Sequence, residues 1–287
     1  TGGVLMRAAG MLIGFLTPAM ANHSPNVHKG YDLYSAALPG VLLGLFAVAV
    51  LYKSLGHDVP AIKATLSESH PAVVWTFCGV FFGLCVLAGW WLNGRSLKGY
   101  TDLLRDTGHK ADFVAKYGPG LAIANVGLYG LMILLYYIFV NALMGDALAG
   151  FNGVTLGIVF CMVCFGAAGS HPGNIWPIML GYVAFSFAAT TFFGGVFPVN
   201  AQAIMVGLCF ASGLTPIAGN YGWWAGVLAG GMHYLLVTSI PAIHGGFSLY
   251  NGGFTSLLVA TILVPQLETF CKTRAERLEA RKGAKQR

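Results

Sequence analysis

Apolar residues run along this chain in long blocks rather than in two-residue alternation. Residues 3–21, 34–52, 72–92, 118–142, 153–169, 175–194, 201–218, 222–240 and 252–270 each form a mostly apolar stretch. About 20 such residues cross a bilayer as a helix. The pattern therefore predicts an all-α fold, a polytopic transmembrane helical bundle with about nine spans. Several blocks are short or interrupted: the one opening at Gly153 is the shortest, and the seventh ends at Pro216. Short, Gly- or Pro-interrupted blocks predict that some spans are broken or re-entrant around a polar site.

Two polar stretches separate the blocks. Residues 93–117 carry Arg95, Lys98, Arg105, Lys110 and Lys116 against three aspartates, and the tail carries Lys272, Arg274, Arg277, Arg281, Lys282, Lys285 and Arg287. Cationic loops stay on the cytoplasmic side. Six spans lie between the two stretches, an even number, so both fall on that side. Residues 22–33, 170–174 and 219–221 are then expected inside. Residues 53–71, 143–152, 195–200 and 241–251 are expected outside.

Composition sharpens this picture. Only 9% of the 287 residues are charged and 56% are hydrophobic, whereas soluble domains carry roughly 25% charged residues. That excludes an ordinary soluble enzyme, a disordered regulator and a nucleic-acid-binding domain. The net charge of +6 sits mostly in the loop and the tail, where it reads as membrane orientation. Forty glycines suit helices whose backbones approach closely in lipid. The six cysteines lie in or beside apolar blocks, and the Cys161/Cys164 pair is expected to pack rather than react. No His or Cys spacing suits a metal ion, so neither metal nor cofactor is expected.

The chain also resembles itself. Shifted by 216 positions, His28, Gly30, Leu33 and Tyr34 fall on His244, Gly246, Leu249 and Tyr250, and Pro25 falls on Pro241. Nine of the 26 pairs from Ala9 to Tyr34 are identical. The charge rule places the two His loops on opposite sides, which makes an inverted internal repeat. Residues 1–52 then form the C-terminal part of a first repeat, expected to be N-terminally incomplete. Residues 53–117 connect, with one span (72–92) and the basic loop (93–117). Residues 118–270 form the second repeat and 271–287 the cytoplasmic tail.

Candidate chemistry is sparse. Ionisable groups inside a bilayer are costly and mark function by default. His233 lies mid-block, His171 lies at a junction, and His28 and His244 lie in the repeat loops; Asp32 and Asp146 sit near span ends. Asn152, Asn174 and Asn251 open blocks beside glycine, and Asn220 follows the break at Pro216. Asn caps a helix by accepting backbone N–H bonds, and a cluster of such helix starts also lines a polar path. The expected path comprises Asn152, Thr155, His171, Asn174, Asn220, His233, His244, Ser248, Tyr250 and Asn251, with His28 and Tyr34 as repeat-related positions. No acidic ladder or buried Lys–Glu pair supports steep ion coupling.

Three segments carry a resemblance: GFNGVTLGIVFCMVCFGAAGSHPGNIWPIMLG, SGLTPIAGNYGWWAGVLAGGMH and HGGFSLYNGGFTSLLVATILVP. Together they resemble a bacterial inner-membrane family catalogued as a domain of unknown function, DUF1576, over residues 8–270. The resemblance implies a bacterial inner-membrane location and carries no established activity. Phe151-Asn152-Gly153 and Tyr250-Asn251-Gly252 are also similar, more faintly, to helix starts in urea transporters, which have inverted repeats.

The reading that follows is a transporter or channel for a small polar solute, not an enzyme, working by facilitated or weakly coupled passage at the repeat interface. Its expected partners are membrane lipid, the solute, and either a second copy or other membrane subunits. A non-catalytic membrane subunit or scaffold is the alternative. An intramembrane enzyme built on His171 or His233 lacks a paired acid, a nucleophile motif and a metal set.

Overall fold

The computed structural model describes residues 2–54, 56, 70–145, 150–195, 197–243 and 251–285. Among these, regular structure is helical throughout. The helices are α1 (Gly2–Val27), α2 (Ala37–Val48), α3 (Pro71–Leu92), α4 (Tyr100–Leu103), α5 (Phe113–Met144), α6 (Gly153–Val163), α7 (Pro172–Phe193), α8 (Gln202–Ala211), α9 (Thr215–Tyr221), α10 (Trp223–Val237), α11 (Ile240–Ile243), α12 (Asn251–Phe270) and α13 (Arg274–Lys285).

Five helical stretches among the described residues are long and apolar enough to cross a membrane, where about nine were expected. They are Ala72–Leu92, Phe113–Met144, Pro172–Phe193, Gln202–Tyr221 and Asn251–Ala284. The shortfall has local causes. α2 runs 12 residues, α6 11 and α10 15, each ending at a break. α1 is long, but it carries Arg7, Asn22, His23, Ser24 and Asn26.

The breaks fall where the residues dictate. In α5 the pre-proline Gly118 leaves helical geometry (φ 85°), because proline disfavours the helical region for the residue before it. α6 tightens into a 3-10 turn at Cys164–Ala167, and α8 does so at Ser212–Leu214 before Pro216 restarts the chain as α9.

Glycine sets how closely the helices lie. α7 meets α10 where Gly181 faces the Val227 carbonyl and Gly230 faces the Ile178 carbonyl. α5 meets α3 where Gly127 faces the Phe82 carbonyl. A methyl group at any of the three would collide with backbone, so the small-residue reading of the forty glycines holds in these interfaces. Tyr129, Ile133, Tyr137, Met162, Ile175, Ile178 and Tyr182 fill the core between them. Phe77, Val80, Leu84 and Leu87 on α3 face outward.

One end of the bundle gathers the segments expected on a single side. The His109 ring lies 2.9 Å from the Lys29 carbonyl, Lys29 pairs with Glu268, and Gly219 abuts the Thr107 carbonyl. Arg277 reaches the Asn220 carbonyl at 3.0 Å. The turn after α1, the 93–112 segment, the start of α7, the α9–α10 turn and α13 thus meet at this basic end.

Candidate functional site

The expected path residues divide among three places. The first is the far end, at the start of α6. Asn152 caps the helix, its Oδ1 accepting from the Val154 amide at 3.0 Å and the Thr155 amide at 3.1 Å. Its Nδ2 points to Gln202 Oε1 at 3.4 Å, and the Gln202 amide lies 3.5 Å from Thr155 Oγ1. Thr155 also donates to the Gly150 carbonyl. Gln202 joins this cluster from α8, a position that nothing in the hydropathy pattern singles out.

The second place is the basic end. Asn174 was expected to open its helix, but the cap is His171, and Asn174 sits one turn in. Gly173 N–H donates to His171 Nδ1 at 3.1 Å. The ring's other nitrogen therefore carries the proton and donates to the Asp106 carbonyl at 3.0 Å. Asn174 Oδ1 accepts from the His171 amide, and its Nδ2 donates to the Gly169 carbonyl. The reciprocal pair is a capping box built with histidine in place of Ser or Thr. Burial pushes the His171 ring below its usual pKa, so it stays neutral in this role.

Asp106 belongs to the same corner. Its carboxylate pairs with Lys116 and accepts from Tyr117 OH at 2.7 Å and from the Gly108 amide at 2.8 Å. Burial raises its pKa, but these donors outweigh that and hold it below the usual carboxylate range. A cavity of about 370 Å³ opens here, lined by Asp106, His171, Asn174, Arg274, Arg277 and Arg281 among others. α13 closes over it: Arg274 donates to the Arg105 carbonyl, and Arg277 donates to those of Asn220 and Tyr221. The Asn220 side chain turns away from the cavity and donates to Tyr31 OH at 3.1 Å.

The third place lies inside the bundle, where the broken helices meet. His233 is fully buried; Tyr182 OH donates to its Nδ1, and its Nε2–H donates to the Gly252 carbonyl at 2.8 Å. Tyr34 OH donates to the Cys209 carbonyl at 3.1 Å and lies 3.3 Å from Ser212 Oγ. Ser170 Oγ lies 3.0 Å from Thr215 Oγ1. Asn125 donates to the carbonyls of Gly166 at 2.7 Å and Ser170 at 2.9 Å, one inside the 3-10 turn after α6 and one just before α7. These bonds satisfy backbone groups that each break leaves without a helical partner.

α2 and α12 begin side by side in this region. A Cβ on Gly253 would stand 2.8 Å from the Ala37 Cβ and 3.2 Å from that of Tyr34. α12 runs from there to the basic end, where Glu268 meets Lys29. α2 runs the opposite way, its later residues Phe46 and Ala47 sharing a groove with the early α1 residues Ala8, Ala9 and Leu12. The two helices therefore meet N-terminus to N-terminus.

His28 sits in the turn before α2. Asp32 N–H donates to its Nδ1 at 3.0 Å, so its Nε2–H donates to Ser35 Oγ at 3.1 Å. His244, Ser248 and Tyr250 lie outside the described residues, as does Asp146. Asn251 begins α12. The single continuous lining expected from sequence is thus three separate clusters among the described residues. Groups of three or more metal-ligating side chains are absent among those residues.

A family of proteins described as of unknown function (DUF1576) matches residues 2–53 and 92–269. The chain belongs to that family. No curated protein and no solved structure matches it significantly, and the fainter likeness to urea transporters gains no support from these comparisons. The matched segments hold the His28 turn, the basic loop and nearly all of α12, while α13, which closes over the basic-end cavity, lies beyond them. α3 falls outside them.

Proposed function

We propose that this chain is an integral membrane transporter or channel for a small polar solute, resident in a bacterial inner membrane with its basic end in the cytoplasm. The supporting observation is the meeting of α2 and α12. Ala37 and Gly253, whose side-chain positions abut, lie 216 positions apart, the same offset that relates the two His-containing segments. An inverted repeat requires that residues on its two-fold axis contact their own counterparts. The short α2 and the longer α12, opposed and starting side by side, also aim their positive dipole ends at one spot. Such a spot suits a neutral, hydrogen-bonding solute or a small anion.

In this reading the solute exchanges water for amide, hydroxyl and imidazole hydrogen bonds as it passes. The Asn152–Thr155–Gln202 cluster lies at the outer mouth and the His171–Asn174 corner at the inner one. No bond to the solute is made or broken.

The test is solute-induced stabilisation of the purified protein against urea, small amides, ammonium, short carboxylates, nucleosides and sodium. A ligand that binds only the native state stabilises it by RT ln(1 + [L]/Kd). A hit that weakens in Asn152→Ala or His233→Ala supports the reading. A flat panel together with a tightly co-purifying membrane partner favours the scaffold alternative instead.

A further inference from the structure

The loop before α2 holds a carboxyl group that the solute path does not use. Asp32 is 2% exposed. One oxygen, Oδ1, accepts from the Tyr34 amide at 3.1 Å; the other, Oδ2, is buried with no hydrogen-bond partner among the described residues. The loop is keyed into the break after α8. Leu33 N–H donates to the Gly213 carbonyl at 3.1 Å, and Asp32 Oδ1 lies against Gly213, where a Cβ would overlap it. Tyr34 anchors the same junction through Cys209 and Ser212.

The groups facing this carboxyl are few. His28 on its own loop accepts the Asp32 amide proton and is held neutral, its pKa lowered to about 4 by burial and by the nearby His109 and Lys110. From the broken α8–α9 run comes Gly213, against which Asp32 Oδ1 lies; Ser256 of α12, bonded to the Phe210 carbonyl, also borders Gly213. The charged pair Lys29–Glu268, and Lys110 beside Gly30, lie on the basic side of the loop.

An ionised carboxylate with one donor and only 2% exposure is costly, because its charge has lost solvent without gaining partners. A carboxylic acid in the same seat carries no charge to desolvate. For the carboxyl to ionise, water or a donor must reach Oδ2, which requires the packing around it, including the loop's contact with Gly213, to open.

We propose that Asp32 is a proton-binding site, and that release of its proton is linked to parting of the 28–36 loop from the Ser212–Leu214 break. Aspartate in the closed junction is protonated, COOH; on opening, the O–H bond breaks, the proton passes to water and the carboxylate becomes hydrated. The proton is thereby a ligand of the closed state, and binding at one site biases a two-state element.

Two readouts on the purified full chain test this, and neither needs a solute. The first is infrared difference spectroscopy across neutral pH. A protonated-carboxyl C=O band should be present in acid and disappear as pH rises through about 7, the value to which burial raises Asp32. It should shift when the protein is grown on isotope-labelled aspartate, and be absent from Asp32→Asn. The second is amide hydrogen exchange of residues 28–36 and 212–215, corrected for intrinsic rates. Protection should fall above neutral pH in the wild type and stay constant in Asp32→Asn.

Absence of a titrating aspartate band overturns the proton site, as does a band that survives Asp32→Asn. Equal pH dependence of exchange in both proteins overturns the link to opening. If Asp32→Asn does not fold, the labelled wild type still decides the first point and its own exchange profile decides the second. The solute panel stands or falls separately from either result.

Discussion

His233 joins α10 to the first turn of α12, its Nε2–H donating to the Gly252 carbonyl at 2.8 Å. The bond ties the start of α12 to α10. It also defines the ring's tautomer, since Tyr182 can then only donate to Nδ1.

His233→Ala removes both bonds at once, leaving the buried Tyr182 hydroxyl without this partner and the Gly252 carbonyl with its helical bond alone. A buried group so stranded costs about 1–3 kcal/mol. The expected outcome is a clear fall in thermal unfolding temperature in detergent, with His233→Gln losing less because its amide can donate to the carbonyl. Equal melting of His233→Ala and wild type would sink this account of the bond.

Gly230→Ala is expected to loosen the α7–α10 contact, because the new methyl meets the Ile178 backbone. Overpacking of this kind costs about 1–3 kcal/mol. Gly157→Ala, with nothing within 4 Å of the added carbon, is expected to be neutral or to gain up to about 1 kcal/mol from helix propensity. Unfolding curves of the two variants should separate in that order.

Stability should respond to pH through two groups of opposite sign. Asp32, raised from 3.8 to about 7 by burial, holds a proton when folded that the unfolded chain has released. Its contribution is present in acid and is lost as pH rises through about 7. His28, lowered from 6.5 to about 4 mainly by burial, refuses a proton that the unfolded chain accepts. Its contribution is present above 6.5 and is lost as pH falls toward 4. Asp32→Asn deletes the first dependence alone. Its melting temperature, relative to wild type, should climb with pH and level off above neutral; a constant gap would refute the assignment.

Asp106→Asn is expected to weaken the basic end modestly. Lys116 is 59% exposed, and a pair so solvated contributes at most about 1 kcal/mol. The lowered carboxyl stabilises the fold above the ordinary carboxylate pKa of about 3.9 and ceases to do so as pH falls through its own value. The gap between wild type and variant should therefore close in strong acid, measured by unfolding at several pH values.

Much of this architecture is legible in residues. Asn152 before Gly153 marks a capped helix start, and the structure places it so. Pro119 marks the kink in α5 and Pro216 the restart at α9. The helix count was harder to read, because hydropathy registers a block and not the 3-10 turn that interrupts it. The path was harder still. His171 and Asn174 look like lining residues in sequence, yet they bond to each other and to the 106–108 turn, a partner set by tertiary approach. Asn125, set among the apolar residues of α5, was a signal that the intramembrane-polar rule could have caught. Asp32 was visible near a span end, but its isolation follows only from how the loop docks on Gly213.

The seat shared by Ala37 and Gly253 has room for one methyl group. Volume there belongs to the pair and not to either residue, so Gly253→Ala is tolerated only if Ala37→Gly accompanies it. Sequence drift at this spot is forced into matched steps. Two stretches of chain 216 residues apart are thereby bound to change together, as the two halves of a single joint.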